Sequence, residues 1–174
     1  MHFTKTTVLA ILSATSTIAN QLDAGTTTTE LVELYSEVFE NATFTWYGLE
    51  DGDAASNAAP ALERRQCANG PLECDNSHSY GDDAYLSLQY YLSSDAGGAL
   101  QKSPRAVCRS SDGGKCCASW GSVPQWGITK GDLLPAMNRI YNACYVGNSG
   151  LVRQADLGGS CITICLSDRE SGCR

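Results

Sequence analysis

All nine cysteines of this 174-residue chain lie between Cys67 and Cys173. No other feature limits the fold as much, because sulfur chemistry on that scale has two main uses, a disulfide framework or a metal centre. Zinc sites cluster their ligands in Cys-x-x-Cys pairs, usually with histidine. Here Cys67 and Cys74 are separated by six residues, Cys116 and Cys117 are adjacent, Cys161 and Cys165 are separated by three, and Cys108, Cys144 and Cys173 stand apart. His78 is the only histidine beyond His2. The spacing therefore predicts disulfides, no metal and no cofactor. Nine is odd, so at least one thiol is left over, free or joined to a second chain in a disulfide-linked dimer.

Disulfides require an oxidising compartment, and the N-terminus supplies a route to one. Lys5 is followed by an apolar run from Val8 to Ala19 that ends in Thr17-Ile18-Ala19, the order of a secretory signal peptide. The run is shorter than the roughly 20 apolar residues that span a bilayer. Residues 1–19 are therefore expected to be a cleaved signal and the product to be secreted, with no membrane span.

Residues 20–65 hold nine acidic side chains, two basic ones and no cysteine. A segment of this kind has little means of building a core and is expected to be a disordered acidic propeptide. Within it Leu31, Leu34, Tyr35 and Val38 recur at helical spacing, which predicts a short amphipathic helix over Thr29–Phe39. The aromatic patch Phe44-Thr45-Trp46-Tyr47 could dock on the remainder before cleavage. Asn41-Ala42-Thr43 is the only glycosylation sequon. The segment ends in Arg64-Arg65, where a kexin-type protease would cut and expose Gln66 for cyclisation. Of the 12 basic and 19 acidic residues, 3 and 9 precede Gln66, so residues 66–174 keep 9 and 10, a net charge of −1. The acidity thus belongs to the leader, and no basic patch supports nucleic-acid binding.

In residues 66–174, Asp82-Asp83 can cap a helix whose buried stripe is Tyr85, Leu88, Leu92, Ala96 and Ala99. Two strands follow around Ser111-Asp112-Gly113-Gly114. A second helix starts at Thr129 or, better, Asp132, which leaves Pro135 in the first turn. Its stripe is Leu133, Met137, Ile140 and Cys144. Two more strands meet at Gly158-Gly159. The expected fold is α+β: a small disulfide-rich sandwich of a four-stranded antiparallel sheet and two helices, in the order α-β-β-α-β-β. Neighbouring Cys116 and Cys117 must point to opposite faces of their strand, and Cys161 and Cys165 to the same face.

Candidates for catalysis are few. A nucleophile–His–Asp arrangement would have to use His78, and capping explains Asp82-Asp83 better than a glycosidase pair does. No catalytic residue is expected. Trp126, in the Gly121–Gly127 loop, is the better binding candidate, since it could stack on a sugar ring or anchor a protein interface.

Ser103-Pro-Arg-Ala-Val-Cys108, Gly114-Lys-Cys-Cys-Ala-Ser-Trp120, Gly131-Asp-Leu-Leu134 and Cys161-Ile-Thr-Ile-Cys-Leu-Ser-Asp-Arg169 with Gly172-Cys173 resemble the fungal small secreted cysteine-rich proteins of the WD-like type. The resemblance implies secretion by filamentous ascomycetes, no established enzymatic activity, and for some members a candidate effector role. It also implies one more cysteine in the first helix, near Ala84, whose absence here would leave a former partner unpaired. The architecture is similar to that of killer toxins, cysteine-rich α/β sandwiches released by dibasic cleavage, a likeness that does not fix function. The expected function is a non-enzymatic effector or toxin-like protein acting outside the cell on a protein or polysaccharide of a host or competitor. The alternative is a module binding chitin or glucan in the wall.

Overall fold

The structure is a computed structural model that describes residues 30–49, 67, 70–100, 104–122, 127–145 and 147–173. Strands β1 (Val32–Phe39), β2 (Ala42–Gly48), β3 (Leu72–Asp75), β4 (Ala106–Ser111), β5 (Gly114–Trp120), β6 (Ser149–Leu157) and β7 (Ser160–Ser167) form one sheet. Its order is β1-β2-β4-β5-β7-β6-β3, and every neighbouring pair is antiparallel. Helices α1 (Asp82–Ser94) and α2 (Leu134–Ala143) pack on one face, α1 over β4 and β5 and α2 over β6 and β7.

The expected four-stranded sheet behind a disordered leader is thereby corrected. Two strands come from the acidic segment, and a third is the short β3, which holds the opposite edge against β6. The expected helix over Thr29–Phe39 is instead the strand β1. The physical reason is a bulge between Glu33 and Tyr35, which shifts the register against β2. One extra residue in a strand breaks the two-residue alternation, and the apolar side chains then fall at intervals that imitate a helix. The connection to β2 is a two-residue turn whose central residues, Glu40 and Asn41, have φ of 48° and 64°. That is the left-handed pair a tight hairpin needs to match strand twist, and asparagine accepts it well.

The hairpin places alternate side chains on the helix side of the sheet. Ala42, Phe44 and Trp46 are buried there beneath Tyr35, Glu37 and Phe39, their partners across β1. They join a core that includes Tyr91 and Leu92 of α1, Val107, Ala118, Met137, Ile140 and Ile164. The aromatic patch thus does dock on the cysteine-rich part, as the strand β2 paired with β4.

The remaining elements lie where their patterns place them. In α1, Tyr85, Leu88 and Leu92 are buried, with Gly81 rather than Asp82 at the cap, but the helix ends at Ser94, so Ala96 and Ala99, expected on its stripe, lie beyond it and are exposed. Thr129 and Asp132 form a reciprocal capping box on a 3₁₀ turn, Lys130–Leu133, that leads into α2 with Pro135 in its first turn. The α2 stripe of Leu133, Met137, Ile140 and Cys144 is buried. This helix approaches β6 so closely that a Cβ on Gly150 would lie 2.7 Å from Cys144 Sγ and from Ile140 Cγ2. Only glycine fits there.

Four disulfides pin the layers: Cys67–Cys161, Cys74–Cys144, Cys108–Cys117 and Cys165–Cys173. Cys74–Cys144 ties edge strand β3 to the end of α2, and Cys108–Cys117 links residues directly opposite in β4 and β5. Cys116 and Cys117 do point to opposite faces, but only Cys117 is bonded; Cys116 is free and fully buried on the helix side. Among the described residues no helix is long and apolar enough to cross a membrane. Arg64, Arg65, Gln66 and the signal-like residues 1–19 lie outside the described residues.

Candidate functional site

On the sheet face away from the helices, alternation presents Ser119 from β5, Thr163 and Cys165 from β7, and Leu151 and Arg153 from β6. These line a groove of about 630 Å³. One wall is the C-terminal stretch Glu170–Cys173, folded back over the sheet and held by Cys165–Cys173. The bend rests on Gly172, whose φ of 100° suits glycine. Hydrogen bonds fix it: Ser167 Oγ donates to the Gly172 carbonyl over 3.3 Å, and Arg169 Nε donates to the same oxygen over 2.7 Å. The other wall is built from both ends of the β1–β2 hairpin, Glu30 and Leu31 before it and Leu49 after it, together with Arg105.

The walls are positioned by charge pairs. Lys115 Nζ lies 2.6 Å from Glu170 Oε2 and 5.5 Å from the centre of the Tyr47 ring, tying the C-terminal bend to the hairpin. The Lys115 hydrogen bond, opposed by partial burial, holds the Glu170 carboxyl below its ordinary range, so it is charged at neutral pH. Arg153 makes a two-pronged bond to Glu73, with Nε–Oε1 2.8 Å and Nη2–Oε2 3.2 Å. Arg105 Nε donates to the Trp120 carbonyl over 3.0 Å.

Among the described residues that line the groove, Ser119 Oγ and Trp120 Nε1 are buried without a hydrogen-bond partner. Ser119 is 4% exposed and its Oγ has no hydrogen bond, although its neighbours are strand and groove. An unsatisfied buried hydroxyl costs about 1–3 kcal/mol, and buried polar groups in folded proteins are rarely left so. Guanidinium groups, hydroxyls of Ser119, Thr163 and Ser171, the Glu30 and Glu170 carboxylates and leucine surface thus converge on one concavity. Such a set can recognise a ligand with both polar and apolar parts. Ser119 stands in the quoted Cys-Cys-Ala-Ser-Trp stretch, but the groove itself is assembled from seven separate segments and has no linear signature.

The other sequence candidates fall elsewhere. His78 Nδ1 lies 3.4 Å from Asp168 Oδ1, but among the described residues no hydroxyl or thiol hydrogen-bonds to His78, so the pair has no nucleophile to activate. Asp82 accepts from Tyr141 Oη over 2.9 Å on the helix side, a contact between α1 and α2. Asn41 is exposed at the hairpin tip, where a glycan could be attached without touching the core. Trp126 lies outside the described residues. Cys108, Cys117 and Glu170 cluster closely enough to suggest a cation site, but both sulfurs are spent in a disulfide and offer no thiolate.

The odd cysteine is now assigned to Cys116. It belongs to the same buried cluster as Ala84 on the helix above, and burial pushes its thiol well above the usual range. A disulfide-linked dimer through the odd cysteine is therefore not open to the folded chain. The native protein should not react with iodoacetamide, and should take up one equivalent per chain in guanidinium chloride without reductant. Mass spectrometry of the alkylated protein checks this; two or more equivalents would contradict the four-bridge map.

No curated protein and no solved structure matches this chain. The model of the fungal WD-like family does match it, over residues 2–173. That span takes in the hairpin, the cysteine-bearing strands and the C-terminal bend alike, and the chain belongs to the fungal WD-like family.

Proposed function

We propose that this protein is a secreted, non-enzymatic recognition protein, effector-like or toxin-like, that acts outside the fungal cell by holding a host or competitor molecule in the outer-face groove. The observation that carries the reading is the groove itself, where charged, hydroxyl and apolar side chains from separate segments converge on one fixed concavity. Four disulfides and the signal-like N-terminus support export to an oxidising medium, and the fungal family supports the source. A groove fixed by bridges and charge pairs binds without first being ordered, which favours affinity.

The test fills the groove without touching the core. Thr163 is part-exposed on the outer face of β7, so Thr163→Trp should block the groove and leave thermal unfolding close to wild type. Purified wild type and variant are applied to host tissue and to competitor cultures, and both are passed over chitin and β-glucan. The expected result is cell death or growth arrest by wild type, with potency lowered at least about 10-fold in the variant. Equal potency would overturn the groove as the site. Inactivity on every target, with retention on the polysaccharides, would favour the wall-binding module instead.

A further inference from the structure

The hairpin that precedes the cysteines is joined to the rest of the protein by no disulfide, since no cysteine precedes Cys67. Its docking surface is nevertheless extensive and chemically specific. Strand β2 pairs with β4 at four positions, Phe44 to Tyr47 against Arg109 to Ala106, and Arg105 N donates to the Tyr47 carbonyl. Tyr91 of α1 is the centre of the contact. Phe44 stacks on its ring at 4.0 Å and Phe39 tilts against it at 5.8 Å. Its hydroxyl accepts from Trp46 Nε1 over 3.2 Å and donates to the Glu37 carboxylate.

A charged clamp closes over this aromatic cluster. Lys130 is 8% exposed, its Nζ 2.9 Å from Glu37 Oε2 and 4.3 Å from the centre of the Tyr91 ring. Its second carboxylate, Asp95, is more distant at 3.6 Å and largely exposed. Burial alone would raise the Glu37 carboxyl, but hydrogen bonds from Tyr91 and Lys130 outweigh it and the net shift is downward. Without the hairpin, Lys130 would lose its nearest counter-ion, Tyr91 its stacking partners, and β4 would become an exposed sheet edge. A buried cation that loses its partner is strongly disfavoured, and open edges invite aggregation.

We propose that this surface keeps the hairpin bound after processing, so that the protein cut after Arg64-Arg65 is a non-covalent two-chain molecule rather than the cysteine-rich fragment alone. Cleavage adds water across the Arg65–Gln66 peptide bond, leaving a carboxylate on Arg65 and an amino group on Gln66. No bond within the described residues changes. The short chain fills the edge of the sheet by strand addition, supplies Glu30, Leu31 and Leu49 to the groove, and presents Asn41 at its tip.

To ensure complete cutting, a recognition sequence for a site-specific protease is inserted between residues 50 and 66 of the full chain, and the folded protein is digested. Gel filtration in native buffer should give one peak containing both chains, which separate on denaturing gels without reductant. Glu37→Gln and Trp46→Ala, digested in the same way, should release the short chain more readily, the second at least about 100-fold. A short chain that elutes alone from the digested protein without further substitution, or a long chain that aggregates as its partner leaves, would overturn the proposal. Equal retention of both variants would overturn the assigned contacts.

Discussion

Trp46→Ala should lower the stability of the full chain by about 3–5 kcal/mol, the range seen for truncating a large buried aromatic. Nothing in the acidic composition of residues 20–65 would suggest so large an effect from a residue there. Trp46 has no exposed surface, stacks on Tyr35 at 5.8 Å and donates its indole N–H to Tyr91. Removing it opens a cavity between two layers and leaves the Tyr91 hydroxyl without one of its partners. Since a domain of this size is stable by only about 5–15 kcal/mol, secreted yield should fall as well. Denaturant unfolding of the uncut protein measures the loss. Val38→Ala is the control on the neighbouring strand: Val38 is 76% exposed, and a surface change of this kind stays within about 0.5 kcal/mol. A loss under about 1 kcal/mol at Trp46 would mean that the hairpin only leans on the protein.

The two halves of the chain were unequally legible, for physical reasons. In the cysteine-rich half, local signals agree with tertiary structure. Asp112-Gly113 and Gly158-Gly159 turn the chain where the strands end, Pro135 sits in a first turn, and the stripe from Leu133 to Cys144 faces the sheet. In the acidic half they conflict. Leu31, Leu34, Tyr35 and Val38 imitate a helix because of the bulge at Glu33–Tyr35, and the turn uses Glu40-Asn41 rather than a glycine. Charge misled as well: Glu37 counted toward disorder, yet its carboxylate meets Lys130 and Tyr91, 93 residues away in the case of Lys130. Strand β3 was illegible because Leu72–Asp75 is too short to show a period and exists only by pairing with β6.

The candidate groove was less legible still. Ser119 and Thr163 are ordinary strand residues by pattern, and only antiparallel pairing of β5 with β7, which sets Ser119 opposite Cys165, brings them to one face. Glu170 to Cys173 reach the groove because one disulfide folds the C-terminus back over the sheet. Alternation could identify which residues face outward, but not that the outer face would be partly covered. Trp126 drew attention because it is a loop tryptophan, a signal carried by residue type alone. The chemistry that converges in the groove comes from residue types too common to single out.

Among the bridges, Cys74–Cys144 should matter much more than Cys108–Cys117. In the loop-entropy account a bridge stabilises by restricting the unfolded chain, and the effect grows with the logarithm of the loop it closes. The separations are 70 residues and 9 residues, which correspond to about 4.4 and about 2.6 kcal/mol. Structure widens the difference. Cys108 and Cys117 face each other across a β-hairpin whose backbone pairing already holds them together, whereas Cys74 lies on a four-residue edge strand whose sheet pairing is with β6 alone. Losing Cys74–Cys144 should therefore free β3 and uncover the end of α2, where Cys144 is buried against Gly150. Paired substitutions, Cys74→Ser with Cys144→Ser and Cys108→Ser with Cys117→Ser, avoid stray thiols. The first pair should lower the thermal midpoint by roughly twice as much as the second, and hydrogen exchange should rise in β3 and the last turn of α2 before it rises in β5. Equal losses would indicate that native packing at the Cys108–Cys117 bridge, rather than chain entropy, dominates its contribution.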